Sequence, residues 1–184
     1  MEERSRLEGE LRLALSAERL EIYFQPEVDL VTNEVLGVGA LARWPHPVHG
    51  VLAADVFVGL AEDAGMVADL GRWVLNGACD RLRDWGQRFD IAMRVNISAL
   101  QLQRSDLVGD VAHALERTQV PAAMLCLEIT ETAVMTDVEQ SMDVLAQLHT
   151  LGVQLVIDDF GTGYSSLANL KRFPVEILKI DKSF

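Results

Sequence analysis

Val153-Gln154-Leu155-Val156-Ile157-Asp158-Asp159-Phe160-Gly161-Thr162-Gly163-Tyr164-Ser165-Ser166 is a short apolar run that ends in two aspartates and passes at once into a glycine-punctuated turn. The run is β-branched, with Gly152 before it and Gly161 and Gly163 after it, which predicts a buried strand. Neighbouring side chains of a strand point to opposite faces. Asp158 and Asp159 therefore converge on one site only if the chain leaves strand geometry between them, a departure the glycines ease. Adjacent acids at the end of a buried strand are costly to hold unless something positive lies between them, and a divalent cation is the obvious candidate. The plainer reading, in which Asp158 ends the strand and Asp159 opens a turn, stays open at this point.

On either side of this stretch, strands alternate with helices. Met1 to Leu20 is charged and helical, with Leu7, Leu11 and Leu15 at i, i+4 spacing and Glu8 four residues before Arg12. Residues 1–20 serve either as a connector from an upstream module or as a helix covering one end of the domain formed by residues 21–184. Leu20 to Leu30 reads as a strand whose Pro26 favours an edge or a strand end, and Val35 to Trp44 as a second strand that Pro45 and Pro47 stop. Asp55 to Ala64 and Asp69 to Trp85 are amphipathic helices. Ala92 to Ser98 is a third strand, and Asp106 to Arg117 a helix with Ser105 as its expected N-cap. Leu125 to Glu131 is a fourth strand. Thr136-x-x-Glu139 has capping-box spacing for a helix that runs through Thr150 and closes on Gly152. Val153 onward supplies the fifth strand, Ser166 to Arg172 a short helix, and Ile177 to Asp181 a sixth strand. Such alternation defines an α/β fold built from parallel βαβ units.

Composition narrows the function. A chain of 184 residues, 49% of them hydrophobic, is enough for one domain with a substantial core. A net charge of −12 argues against a general DNA or RNA binder and against adhesion to an anionic membrane. An anionic substrate would have to be received by metal ions or a local basic patch. Cys79 and Cys126 lack C-x-x-C spacing, which fits reduced thiols in the cytoplasm, and the four histidines form no zinc pattern. No apolar run approaches the ~18 residues of a membrane helix, so a soluble, cytoplasmic protein is expected.

Strand parity gathers the chemistry. Val95 and Ile97 share one face and Asn96 takes the other; Leu125, Leu127 and Ile129 oppose Glu128; Leu155 and Ile157 oppose Asp158; Leu178 and Ile180 oppose Lys179. Each of these strands puts one polar residue near its C-terminal end, where the catalytic mouth of an α/β barrel lies. One such residue is usually structural. Asn96, Glu128, Asp158 and Lys179 in successive strands are of types that bind or position a cation and a water.

The segments Y-F-Q-P-E, G-A-L-A-R-W, R-V-N-I-S, L-E-I-T-E, D-D-F-G-T-G-Y-S-S and L-K-I-D-K-S-F, in this order and spacing, resemble the EAL-domain family of cyclic di-GMP phosphodiesterases. The resemblance implies a TIM-like (β/α) barrel whose first strand is antiparallel to the rest. It also implies hydrolysis of one phosphodiester of cyclic di-GMP to linear pGpG with Mg²⁺ or Mn²⁺. By the same resemblance, Asn96, Glu128 and Asp158 are metal ligands, Asp159 is the ligand to a second metal, and Lys179 positions or deprotonates the attacking water. Glu131 steadies the loop after Asp159, while Gln25 and Arg43 contact the guanine and phosphate of the dinucleotide. Hard oxygen donors suit these ions, and a planar guanidinium suits phosphate.

Two departures accompany the resemblance. Gly39-Ala40-Leu41 stands where the family has Glu-Ala-Leu, so the carboxylate ligand expected at position 39 is absent. The sequence also stops after about six of the eight strands, short of the ~200 residues of a complete barrel. That implies open strand edges and either poor stability or association. A homodimer and upstream signalling domains are the protein partners that the family suggests. Two functions compete: an impaired metal-dependent phosphodiesterase, and a degenerate module that binds cyclic di-GMP or a protein partner without turnover.

Overall fold

Side chains alternating between apolar and polar along successive short segments build one twisted sheet, and amphipathic helices cover its apolar face. The computed structural model describes residues 2–86, 88–161, 172–181 and 183. Helix α1 (Glu2–Ser16) precedes β1 (Glu21–Val28), β2 (Val35–His46) and β3 (Gly50–Ala53). Helices α2 (Ala54–Asp63) and α3 (Val67–Gly86) lead to β4 (Ala92–Ile97), then α4 (Ala99–Arg104) and α5 (Leu107–Thr118). A 3₁₀ turn at Ala122–Met124 enters β5 (Leu125–Thr130), followed by α6 (Glu131–Thr136), α7 (Val138–Leu151), β6 (Gln154–Phe160) and β7 (Ile177–Ile180). The expected helix from Ser166 to Arg172 lies, but for its last residue, outside the described residues.

Strand order is β1-β2-β4-β5-β6-β7, with β3 paired to β2 beyond the end of β4's pairing. β1 runs antiparallel to β2, and every later step along this path is parallel. The α/β class and the antiparallel first strand are thus as the sequence implied. Among the described residues β1 and β7 do not pair, so the sheet is not closed.

Met93, Val95, Ile97, Leu125, Leu127, Ile129, Leu155 and Ile157 form the helix-facing layer. They pack with Leu75, Ala78 and Leu82 of α3, Val111 and Ala114 of α5, and Leu145 and Leu148 of α7. Each large aliphatic side chain buried here contributes about 1.5–3 kcal/mol. A second cluster joins Leu11 and Ala14 of α1 to Trp44, Phe57, Leu60 and Leu70. His46 secures α1 further: its Nε2 lies 2.8 Å from Glu10 Oε2 while Nδ1 accepts the Val48 and His49 N–H groups. No helix among the described residues is long and apolar enough to cross a membrane.

Several boundaries differ from the sequence reading. β2 continues through Pro45 to His46 because β1 starts opposite Arg43, leaving Pro45 with a strand neighbour on one side alone, where a missing N–H is tolerated. Asp106, not Ser105, caps α5 by accepting the Gly109 N–H at 3.0 Å, because the Ser105 hydroxyl is engaged with Gln101 O at 2.6 Å. Likewise Asp137, not Thr136, caps α7, since the Thr136 hydroxyl donates back to Thr132 O within α6. The C-terminal stop at Gly152 is as expected, with φ of 88° in the left-handed region that glycine adopts without strain. The four-residue β3, which makes seven strands where six were read, and the short α4 and α6 went unread; the signals of the two helices are Ser98, which forms a capping box with Gln101, and Thr130, which accepts the Ala133 N–H.

Candidate active site

Register places the functional side chains on the sheet face opposite the helices. Gln25 of β1 pairs with Gly39 of β2, and Gly39 pairs in turn with Arg94 of β4. Asn96 pairs with Glu128 of β5. Asp158 of β6 pairs with Thr130, two residues beyond Glu128, and Lys179 of β7 shares the parity of Ile177, the partner of Val156. Directly paired residues share a face. Gln25, Glu27, Gly39, Arg43, Arg94, Asn96, Glu128, Asp158 and Lys179 therefore line one surface, as strand parity had implied for four of them.

The centre of this surface is an ion-pair quartet. Lys179 Nζ lies 2.5 Å from Glu128 Oε1 and 3.1 Å from Glu27 Oε1. Arg94 approaches the same two carboxylates from β4: its Nε lies against Glu27 Oε2, without hydrogen-bond alignment, and its Nη1 is 3.8 Å from Glu128 Oε1. Nη1 also donates to Cys126 Sγ at 3.3 Å. Burial raises the Glu128 pKa; the Lys179 ammonium opposes this, and the nearby Asp158 and Glu27 charges reinforce it. For Lys179, burial disfavours the charge, but Glu128 and then Glu27 outweigh it and hold the pKa above the ordinary lysine value. Lys179 is consequently a fixed proton donor in this arrangement.

Near the end of β6 the chain departs from regular strand geometry between the two aspartates, as their adjacency required, and the register with β7 shifts between Ile157 and Phe160. Asp159 adopts φ of 53°, and its N–H donates to Asp158 Oδ1 at 2.9 Å. The buried Glu131 carboxylate, at the start of α6, accepts the Gly161 N–H at 2.7 Å and so ties down the chain just after Asp159. An open cleft of about 510 Å³ is lined by Asp158, Asp159, Lys179, Ile180 and Asp181. Gln25 and Arg43 stand on the same face, but Arg43 is turned elsewhere, donating to Ala42 O at 2.8 Å and lying 5.7 Å from the Tyr23 ring centroid.

As placed, the donors do not enclose a cation. Among the described residues no three His, Cys, Asp or Glu side chains gather closely enough to hold a metal ion. The deepest carboxylate, Glu128, already faces Lys179 and Arg94, and Gly39 offers no donor. Position 39 nevertheless has room for a side chain: a Cβ built there would meet nothing nearer than Gln25 O at 3.9 Å. Sequence reasoning missed Glu27 and Arg94. Parity could have found both, since Arg94 lies two residues before Asn96 and Glu27 two after Gln25.

An antiparallel first strand, a run of parallel βα units and an acid-lined mouth at the strand C-termini define a TIM-barrel-like α/β domain. The chain belongs to the EAL domain family, whose model matches residues 8–184. It is 47% identical over 182 residues to the cyclic di-GMP phosphodiesterase NbdA of Pseudomonas aeruginosa, covering 97% of this chain and 23% of that protein. The chain thus spans about a quarter of this curated relative's length. The solved PaMucR phosphodiesterase in complex with c-di-GMP superposes with a TM-score of 0.92 at 43% identity, covering 97% of this chain and 73% of that one. The FimX EAL domain of Pseudomonas aeruginosa bound to c-di-GMP gives a TM-score of 0.85 at 25% identity, over 94% and 70% of the two chains. EAL phosphodiesterases are generally divalent-metal dependent.

Proposed function

We propose that this chain is an EAL domain that binds cyclic di-GMP on the inner face of its sheet and hydrolyses it to pGpG poorly. Relatives named as cyclic di-GMP phosphodiesterases, and solved EAL domains holding that ligand, support the ligand class. Poor turnover rests on one observation: Gly39 sits on the inner face, in register with Gln25 and Arg94, with space for a carboxylate that it does not carry. In this reading Gln25 presents its amide to a guanine edge, and Arg43 turns its fork from Ala42 O toward a phosphate. Asn96 and Asp158 orient polar groups of the ligand or a water. Lys179, held protonated by Glu128 and Glu27, donates to a phosphate oxygen or positions a water but is a poor acceptor of that water's proton. Glu131 keeps the Asp159 turn in place through Gly161. With one ligand carboxylate missing, Mg²⁺ or Mn²⁺ would be held weakly, and loss of even a supporting partner of a metal ligand lowers affinity or activity by ~10 to 100-fold.

The test is calorimetric binding of cyclic di-GMP beside chromatographic detection of pGpG in Mg²⁺ and Mn²⁺, with an active EAL phosphodiesterase assayed in parallel. Binding with turnover at least ~100-fold below that enzyme is the expected result. Turnover within ~10-fold of it would overturn the impaired reading, and absence of binding would overturn the ligand assignment.

A further inference from the structure

Arg94 is a second cation in the basin, more enclosed than Lys179, and it lies beside Gly39, where the family resemblance expects a carboxylate. Its side chain is 13% exposed and emerges from β4 at the register position next to Gly39. Glycines on β2 leave it room. A Cβ on Gly37 would stand 3.6 Å from Arg94 Nε and 3.0 Å from Ala92 O, and the space above Gly39 is open. Glu27 and Glu128 together carry two negative charges, and Arg94 and Lys179 supply two positive ones, drawn from β1, β5, β4 and β7. A guanidinium does not give up its proton in a protein, so this charge is permanent. A divalent ion entering here would meet a fixed like charge and carboxylates that are already neutralised.

We propose that Arg94 is a tethered cation that takes the place of a divalent ion in this basin, so that the chain holds its dinucleotide without metal. The ligand half of this statement rests on the function proposed above; the metal half stands independently. It also follows that restoring the missing acid is not enough. A glutamate at position 39 would sit in register with Arg94 and pair with it.

The experiment measures Mn²⁺ binding by loss of the free aqua-ion signal in electron paramagnetic resonance, for the wild-type protein, Arg94→Ala, Arg94→Gln, Arg94→Lys, Gly39→Glu and the Gly39→Glu/Arg94→Ala double variant. Circular dichroism melts confirm that each is folded. Cyclic di-GMP binding is measured by calorimetry in EDTA and in Mg²⁺. The wild type, Arg94→Lys and Gly39→Glu are expected to bind Mn²⁺ weakly, Arg94→Ala or the more conservative Arg94→Gln at least ~10-fold more tightly, and the double variant most tightly. Wild-type affinity for the dinucleotide should agree within about twofold in EDTA and in Mg²⁺, as uniform charge compensation requires. Mn²⁺ affinity unchanged in Arg94→Ala and Arg94→Gln, or a wild type that binds Mn²⁺ as tightly as the double variant, would overturn the proposal. If the wild type binds no dinucleotide in either buffer, the function proposed above fails while the Mn²⁺ series still decides the role of Arg94.

Discussion

Replacing Lys179 by methionine removes the ammonium 2.5 Å from Glu128 and 3.1 Å from Glu27 while keeping most of the apolar stem. Glu128 is 5% exposed, and the cation left to it is Arg94 at 3.8 Å. Deleting one partner of a buried ion pair costs about 3–5 kcal/mol. The Lys179 side chain is 32% exposed, so solvent screens its half of the pair, and about 2–3 kcal/mol at pH 8 is the expected loss. For a chain of this size each kcal/mol lowers Tm by about 2–4 °C, a fall of about 4–12 °C in all. The loss depends on pH. Burial already raises the Glu128 pKa and Lys179 is the chief influence pulling it back, so in the variant it rises further above the unfolded value. A carboxyl whose folded pKa is raised contributes stability that is present below its unfolded pKa and is lost as pH rises through the folded one. At pH 5 the variant can bury Glu128 as the neutral acid, and the loss should fall to about 1 kcal/mol or less. Urea unfolding of both proteins at pH 5 and pH 8 measures the difference. Equal losses at the two pH values would refute the idea that Lys179 compensates a buried charge.

Two further expectations concern Glu131 and the buried thiols. Glu131→Gln keeps an acceptor for the Gly161 N–H but removes its charge, so it should cost about 1 kcal/mol, against about 2–3 kcal/mol for Glu131→Ala, with faster amide exchange at Gly161 in the latter. Equal costs would show that the bond contributes little. Burial pushes the Cys79 and Cys126 thiols up to about 11, so at pH 8 both should react slowly with Ellman's reagent until the protein is unfolded. The sign is that of a raised acid: stability is intact below about pH 9 and declines as pH rises toward 11, by about 2–3 kcal/mol for Cys79, which a pH series of urea melts would record.

Where one strand face meets the core, the chain is transparent to sequence reading. Asn96, Glu128, Asp158 and Lys179 oppose apolar neighbours at a spacing of two, and a slip of one residue would bury the first three in the helix layer, so their common face was legible. A backbone departure at Asp159 was legible too, because two adjacent acids cannot share a face of a regular strand, and the φ of 53° within the irregular end of β6 is that departure. Helix caps were less so. Ser105 and Thr136 are good cap residues by type, but each spends its hydroxyl on a carbonyl one turn back, and the neighbouring aspartate does the capping.

The sequence by itself determined the family, the alternation of strands and helices and the face that carries the acids. All of these depend on residue identity and on short periods along the chain. Which charges meet was decided only by the tertiary structure. Glu27 and Lys179 are 152 positions apart, yet lie 3.1 Å from one another across the sheet's inner face, and Arg94 reaches Glu27 and Glu128 from the strand between them. Curvature of the sheet brings β1 and β7 within reach, and no local pattern encodes that distance. Gly39 by itself is only an absent side chain; its register with Arg94, which the proposal above builds on, came from the fold.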